Sequence, residues 1–343
     1  MVLTKEDTIR AKGAAVLGMV MLHLFCRLGT LPYVPLIWFG DTPLIYYLGL
    51  FGDLCVPVFC FCSGYAHYLL REKKEAQYAK EIPNKILRLM VNFWIVLVLF
   101  TVLGFLFDES GQIPGSMGAF LGNAFLYRLS YNGAWWFLLT YLFLLVLSPI
   151  LYRITKTLNG FCLLAISGCV YFLSYLFRFK WMLEISHPVI GWLWQQMILL
   201  GTSQFSYILG MLAFRYEIPQ RLRAYFAAGS HRLAGICLGI LLPLLAFLLH
   251  CMVPSLVIAP VTAMSVLLSL TLLNLPVWLK GSLEFLGKHS TNIWLVHMFF
   301  YMNIFKGLVF LARYPILILL LMMGLCIAVS YPIQWLERQI FRK

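Results

Sequence analysis

Ten apolar runs, each about the length needed to cross a hydrocarbon core of ~30 Å, leave this chain little choice of environment. They lie at approximately residues 12–28, 44–70, 86–107, 134–152, 161–177, 189–214, 233–251, 255–274, 292–311 and 316–336. In lipid, every backbone N–H and C=O must be satisfied within the chain, so such runs fold as helices. The expected fold class is therefore all-α, a polytopic membrane bundle of about ten transmembrane helices. With 62% hydrophobic and 11% charged residues and a mean hydropathy of +0.87, the composition excludes a water-soluble domain of this length.

The first run could pass for a signal peptide by position, but the mixed-charge stretch LTKEDTIRAK precedes it and a histidine interrupts it. No small-residue cleavage site follows, and the run is kept as helix one. The nine cysteines fall mostly inside apolar runs, without a CxxC pair or His-rich ligand spacing. They read as small buried thiols, and neither a disulfide frame nor a metal site is expected.

The net charge of +13 would suggest nucleic acid in a soluble protein. Here the loops explain it. With a cytoplasmic N-terminus and ten alternating helices, most of the 26 Lys and Arg residues fall on the inner side, among them Lys5, Arg71, Lys73, Arg153, Lys156, Arg221, Arg223 and Lys343. The outer side keeps Arg27, Arg128, Arg178, Lys180, Lys306 and Arg313. That asymmetry obeys the positive-inside rule and sets both termini in the cytoplasm. No nucleic-acid partner is expected; the surroundings are a lipid bilayer. The longest polar connections, near 71–85 and 108–133, are too short for a core of their own, so residues 1–343 read as a single integral membrane domain without an appended soluble one.

Ionisable groups inside such a bundle usually face its interior or a wet cavity, which makes them functional candidates. Lys12 and His23 stand eleven residues apart in run one, on nearly the same helix face, with the imidazole roughly 16 Å above the ammonium. The charge is expected at the membrane edge and the ring deep within. In run two, Pro57 predicts a mid-membrane kink, and Ser63 with Gly64 permits close approach of a neighbouring backbone. Asp53 must be paired, protonated or wet; His23 is one partner for it, and solvent at the outer headgroups is the other reading. His67 is expected to snorkel toward water.

Pro83 and Asn84 are read as introducing helix three, which places Lys85 and Arg88 on one face of its first turns. Cations there oppose the helix dipole unless an anion binds, so they mark either a phosphate site or ordinary topogenic charge. His297, expected about one and a half turns past a helix start at Ser290 or Thr291, is either a hydrogen-bonded core residue or a second functional histidine. Trp135 and Trp136 read as an outer aromatic belt or as a platform for a sugar ring. His187, His231, His250 and His289 lie near run ends and need no special role.

Taken in order, these stretches resemble the acyltransferase-3 family of integral membrane acyltransferases. KGAAVLGMVMLHLF resembles the family's first helix, a basic residue and ten positions before a histidine; VPVFCFCSGYAHYLL resembles its FF-x-x-SG-aromatic signature, which adds Tyr65 to Ser63 and Gly64. NKILRLMVNFW resembles the R-x-x-R motif, and AWWFLLTYL and HSTNIWLVH resemble two later patterns carrying Trp136 and His297. The chain departs from the family at Lys12 and Lys85, where arginine is usual, and at Pro57, where many members have aspartate, leaving Asp53 as a substitute or an unrelated feature. Lysine keeps the charge but not the planar fork.

The resemblance implies an acyl-CoA co-substrate from the cytoplasm, most simply acetyl-CoA, an acceptor hydroxyl on a cell-surface glycan or lipid-linked sugar, and a bacterial cytoplasmic (inner) membrane. Lys12, Lys85 and Arg88, with Arg10 as a further candidate, would hold the donor's phosphates; His23 would be general base or transient acyl carrier. A transporter or flippase for an anionic glycan or glycolipid precursor also wants a basic vestibule and a titratable histidine, although no repeated half with matching interrupted helices is visible. A structural or sensory membrane domain is the third reading.

Overall fold

The structure is a computed structural model that describes every residue except Met1, Val2, Leu28, Thr30, Glu75, Glu109 and Lys343, so the expected end of run one and the last inner charge lie outside the described residues. Its helices are α1 (Lys5–Phe25), α2 (Leu44–Leu50), α3 (Cys55–Lys74), α4 (Ala76–Phe107), α5 (Met117–Ala124), α6 (Trp136–Thr157) and α7 (Gly160–Phe179). There follow α8 (Pro188–Arg215), α9 (Ile218–Ala227), α10 (Arg232–Met252), α11 (Ala259–Leu272), α12 (Val277–Tyr301), α13 (Lys306–Phe310) and α14 (Pro315–Ile340). Two-residue strands, Trp38–Phe39 and Thr42–Pro43, form one short ribbon. The molecule is an all-α membrane bundle: eight of its described helices are long and apolar enough to cross a bilayer. The ten runs map onto these eight plus α11, which is shorter, and α12, whose first half carries Lys280, Glu284 and Lys288.

Several boundaries differ from expectation, each for a local reason. A capping box between Thr4 and Asp7 starts α1 at Lys5. Lys12 is therefore two turns inside the helix instead of at its start, and His23 is in its last turn. Run two is broken by a 3-10 turn at Phe51–Leu54, and Pro57 sits in the first turn of α3, where its missing N–H is no loss. The break in run two therefore falls at the 3-10 turn, just ahead of Pro57. α4 runs unbroken through Pro83 from Ala76, so Lys85 and Arg88 are not at a helix N-terminus, and the dipole argument for an anion there fails. α12 likewise continues through Ser290 and Thr291, which removes the helix start proposed near His297.

Backbone-to-backbone contacts at glycine set the two crossings that matter most. Gly13 of α1 lies against the carbonyl of Leu283, and Gly287 of α12 against that of Ile9. Between α3 and α8, Gly64 meets the carbonyl of Tyr207 and Gly210 meets that of Phe61. In hydrocarbon, where apolar side chains gain little by leaving lipid, such close approach is what binds helix to helix. α12 is further fixed by the turn that leads into α6, since Trp135 Nε1 and Asn132 Nδ2 donate to the Leu295 carbonyl at 2.9 and 2.8 Å. Phe100 stacks on Phe299 with ring centroids 4.2 Å apart. A buried polar chain from Asn92 through Asn292 and Ser330 to His289 ties α4, α12 and α14.

Candidate active site

Toward the end of the bundle where α1 terminates, α1, α3, α6, α7, α8 and α12 enclose a cavity of about 250 Å³. His23 and Leu22 form one wall, Trp136 and Phe137 another, and Tyr171, Tyr175 and Arg178 a third, with Thr202, Ser206, Asp53 and Trp294 completing it. His23 faces His297 across α1 and α12, with ring centroids 4.9 Å apart. The glycine contacts between these two helices are what allow the rings to meet.

The hydrogen bonds fix one of the two tautomers. His297 is fully buried, and its Nδ1 lies 2.7 Å from the Trp294 carbonyl. A carbonyl only accepts, so Nδ1 carries the proton and, in the neutral ring, Nε2 holds a free lone pair. That Nε2 has no hydrogen-bond partner among the described residues. His23 Nδ1 is 3.3 Å from the Tyr301 hydroxyl, whose ring in turn lies under Arg27, with the guanidinium 5.2 Å from its centroid. When Nδ1 donates to Tyr301, His23 Nε2 is left as the second base of the pair. His297 stands at neither a helix start nor in a separate site; it is on the inner face of a continuous helix, against His23.

Asp53 lines the same cavity, but its partner is not His23. Its Oδ2 is 3.3 Å from His250 Nε2, which also lies 2.8 Å from the Thr262 hydroxyl. Both side chains are buried, which corrects the expectations of solvent for Asp53 and of no special role for His250. The reason is the 3-10 turn at Phe51–Leu54, which draws Asp53 off the helix line and toward α10 and α11. Trp135 and Trp136 do not form an outer belt: Trp135 is fully buried, and Trp136 lines the cavity under the guanidinium of Arg178, 4.6 Å from its ring centroid. Ser63 and Gly64 sit at the α3–α8 crossing, and the Tyr65 hydroxyl accepts from the Leu3 amide at 3.1 Å and from Gln220 at 3.3 Å, anchoring the start of α1.

The four inner cations are only partly gathered. Lys12 stands 5.8 Å from the Phe59 centroid and has no ion pair among the described residues. Lys85 lies over Tyr78 at 4.0 Å, and both ammonium groups act electrostatically on the same buried ring, His67. His67 is itself hydrogen-bonded to the Tyr207 hydroxyl at 2.5 Å and does not snorkel. Arg88 turns to the Phe341 ring, 4.9 Å away, at the end of α14. Arg10 is held by Glu284 at 2.5 Å and Asp7 at 3.4 Å, and Asp7 also holds Arg223 at 3.0 Å. Arg10, Asp7 and Arg223 line a second cavity of about 750 Å³, largely apolar, bounded by α1, α7, α8, α9 and α11.

Sequence reasoning missed His250, Arg178, Tyr171 and Tyr175. Arg178 read as loop charge and the tyrosines as ordinary apolar-run residues. The one usable signal was Asp53 itself, since a carboxylate in a membrane helix demands a partner. No cluster of three or more His, Cys, Asp or Glu suited to a metal occurs among the described residues.

A family model described as an acyltransferase domain matches residues 10–335. No curated protein and no solved structure matches the chain.

Proposed function

This chain belongs to the acyltransferase-3 family of integral membrane acyltransferases, and we propose that within it the protein moves an acyl group, most simply acetyl, from acyl-CoA to a hydroxyl of a cell-surface glycan or lipid-linked sugar. The cell would be bacterial and the membrane its cytoplasmic one. The observation that carries the reading is His23 on the wall of a cavity large enough for a sugar, backed by the buried ring of His297 4.9 Å away.

In the direct route, His23 Nε2 takes the proton of the acceptor hydroxyl as its oxygen attacks the thioester carbonyl. The C–S bond breaks, the ester forms, and the imidazolium returns the proton to the departing CoA thiolate. In the carrier route, Nε2 attacks the thioester carbonyl, the C–S bond breaks and CoA leaves as the thiolate; the acceptor oxygen then attacks the acyl-imidazolium, the C–N bond breaks, and the hydroxyl proton ends on the CoA thiolate, restoring the neutral ring. Either way Tyr301 holds the Nδ1 side of the ring. Lys12, without an ion pair among the described residues and two turns inside α1, and Lys85, 4.0 Å from Glu81, would meet the donor's phosphates from the inner side, with Arg88 contributing at the rim. Arg10, already engaged by two carboxylates, would serve this end only if Glu284 or Asp7 released it.

Purified protein mixed with acetyl-labelled acetyl-CoA and a membrane glycan extract tests the reading. Label should appear in the glycan fraction, and His23→Ala should abolish it with helical content unchanged. Transport of intact glycan without label transfer would instead support the flippase reading.

A further inference from the structure

We propose that the outer cavity takes an acceptor bearing an anionic group, a carboxylate or a phosphate, and that Arg178 holds that group. The inference rests on the reading that an acceptor hydroxyl meets His23 in this cavity, and it adds the acceptor's chemistry.

Arg178 occupies the last turn of α7, with its guanidinium over Trp136 at 4.6 Å and over Phe179 at 5.0 Å. Lys180, two residues on, is exposed, whereas Arg178 is half-buried and turned into the cavity wall. Its one hydrogen bond among the described residues is a long one, 3.4 Å to the Thr202 hydroxyl. A guanidinium presents five N–H donors in a fixed fork, so most of them are unused. No acidic side chain lies within ion-pair distance of it among the described residues. The nearby carboxylate, Asp53, is matched by His250.

A cation inside a bundle is costly unless paired, and the C-terminal dipole of α7 offsets only a small part of that cost. The aromatic faces add a similar amount and fix the plane of the fork. What remains unmet is an anion with two oxygens, which a guanidinium binds bidentately. His23 lines the same cavity, so an acidic sugar seated on Arg178 would present its neighbouring hydroxyls toward the base.

The test is equilibrium binding to the full chain in detergent by titration calorimetry, using 4-nitrophenyl glucuronide, glucose 1-phosphate and the neutral 4-nitrophenyl glucoside. At least one anionic probe should bind about tenfold or more tighter than the neutral one, and the one that does distinguishes carboxylate from phosphate. Arg178→Gln should bring the preference within about twofold, and Arg178→Lys should keep part of it, since charge survives without the fork. Equal binding of all three probes, or a preference that persists in Arg178→Gln, overturns the proposal; the wild-type comparison decides alone if that variant does not fold. Transfer from labelled acetyl-CoA is followed in parallel. Anion preference without transfer sinks the acyl-CoA reading only, and transfer without anion preference sinks this one only.

Discussion

Because the Trp294 carbonyl fixes the proton of His297 on Nδ1, the opposite nitrogen is a lone pair without a hydrogen-bond partner among the described residues, on a ring 4.9 Å from that of His23. A group so placed orients the reacting ring or relays its proton. Replacing His297 with Ala should lower kcat by about tenfold or more while leaving the donor KM within about twofold, as steady-state kinetics with varied acetyl-CoA would show. A raised KM with unchanged kcat would make it a donor contact instead. At Asp53 the expectation is structural. His250→Ala leaves a buried carboxylate without its partner and should destabilise the fold by about 3 kcal/mol, and Asp53→Asn made in the same chain should restore part of that. Thermal unfolding of the two single variants and the double one gives the coupling directly.

At the scale of helices, α1 and α12 touch through Gly13 and Gly287, and that contact is what sets His23 against His297. A side chain at Gly13 must displace the Leu283 carbonyl, which belongs to a helix that cannot yield locally. Gly13→Leu should therefore cost about 1–3 kcal/mol of stability and reduce kcat together with it. Gly281→Leu, also on α12 but facing open space, should change neither. Melting temperature and turnover measured on both variants separate a crossing defect from a general effect of losing glycine. These helices were legible in sequence because hydropathy marks what must avoid water, and their ends were not, because polar residues inside a bundle do not stop a helix. Lys280, Glu284 and His289 lie within α12, where Glu284 meets Arg10 and His289 meets Ser330, so the polar half continues the helix instead of capping it. Pro83 is exposed on α4 and likewise fails to end it.

Across the whole molecule, the spacing of Lys12 and His23 was readable because both lie on one helix, where periodicity alone relates them. The partners that complete the site come from elsewhere: His297 and Tyr301 from α12, His250 from α10, Arg178 from α7. One sequence does not state which faces of distant helices meet, so those contacts needed the fold. Orientation is different, since it follows from charge summed over loops and not from any contact. The segment after α4 holds Asp108, whose carboxylate accepts from the Ser110 and Ile113 amides at 3.1 and 2.8 Å, and the charge rule assigns it to the sparsely basic outer loops. The same rule assigns the end of α6, with Arg153 and Lys156, to the inner ones. Ser110 and Thr157 are both exposed. In a chain whose exposed Cys162, Cys169 and Cys237 are changed to Ala, Ser110→Cys should react with a membrane-impermeant maleimide in intact cells. Thr157→Cys should react only once the membrane is opened. The opposite pattern would invert the bundle, put His23 at the cytoplasmic end and Lys12 nearer the exterior, and leave the donor's phosphates with no basic surface to meet.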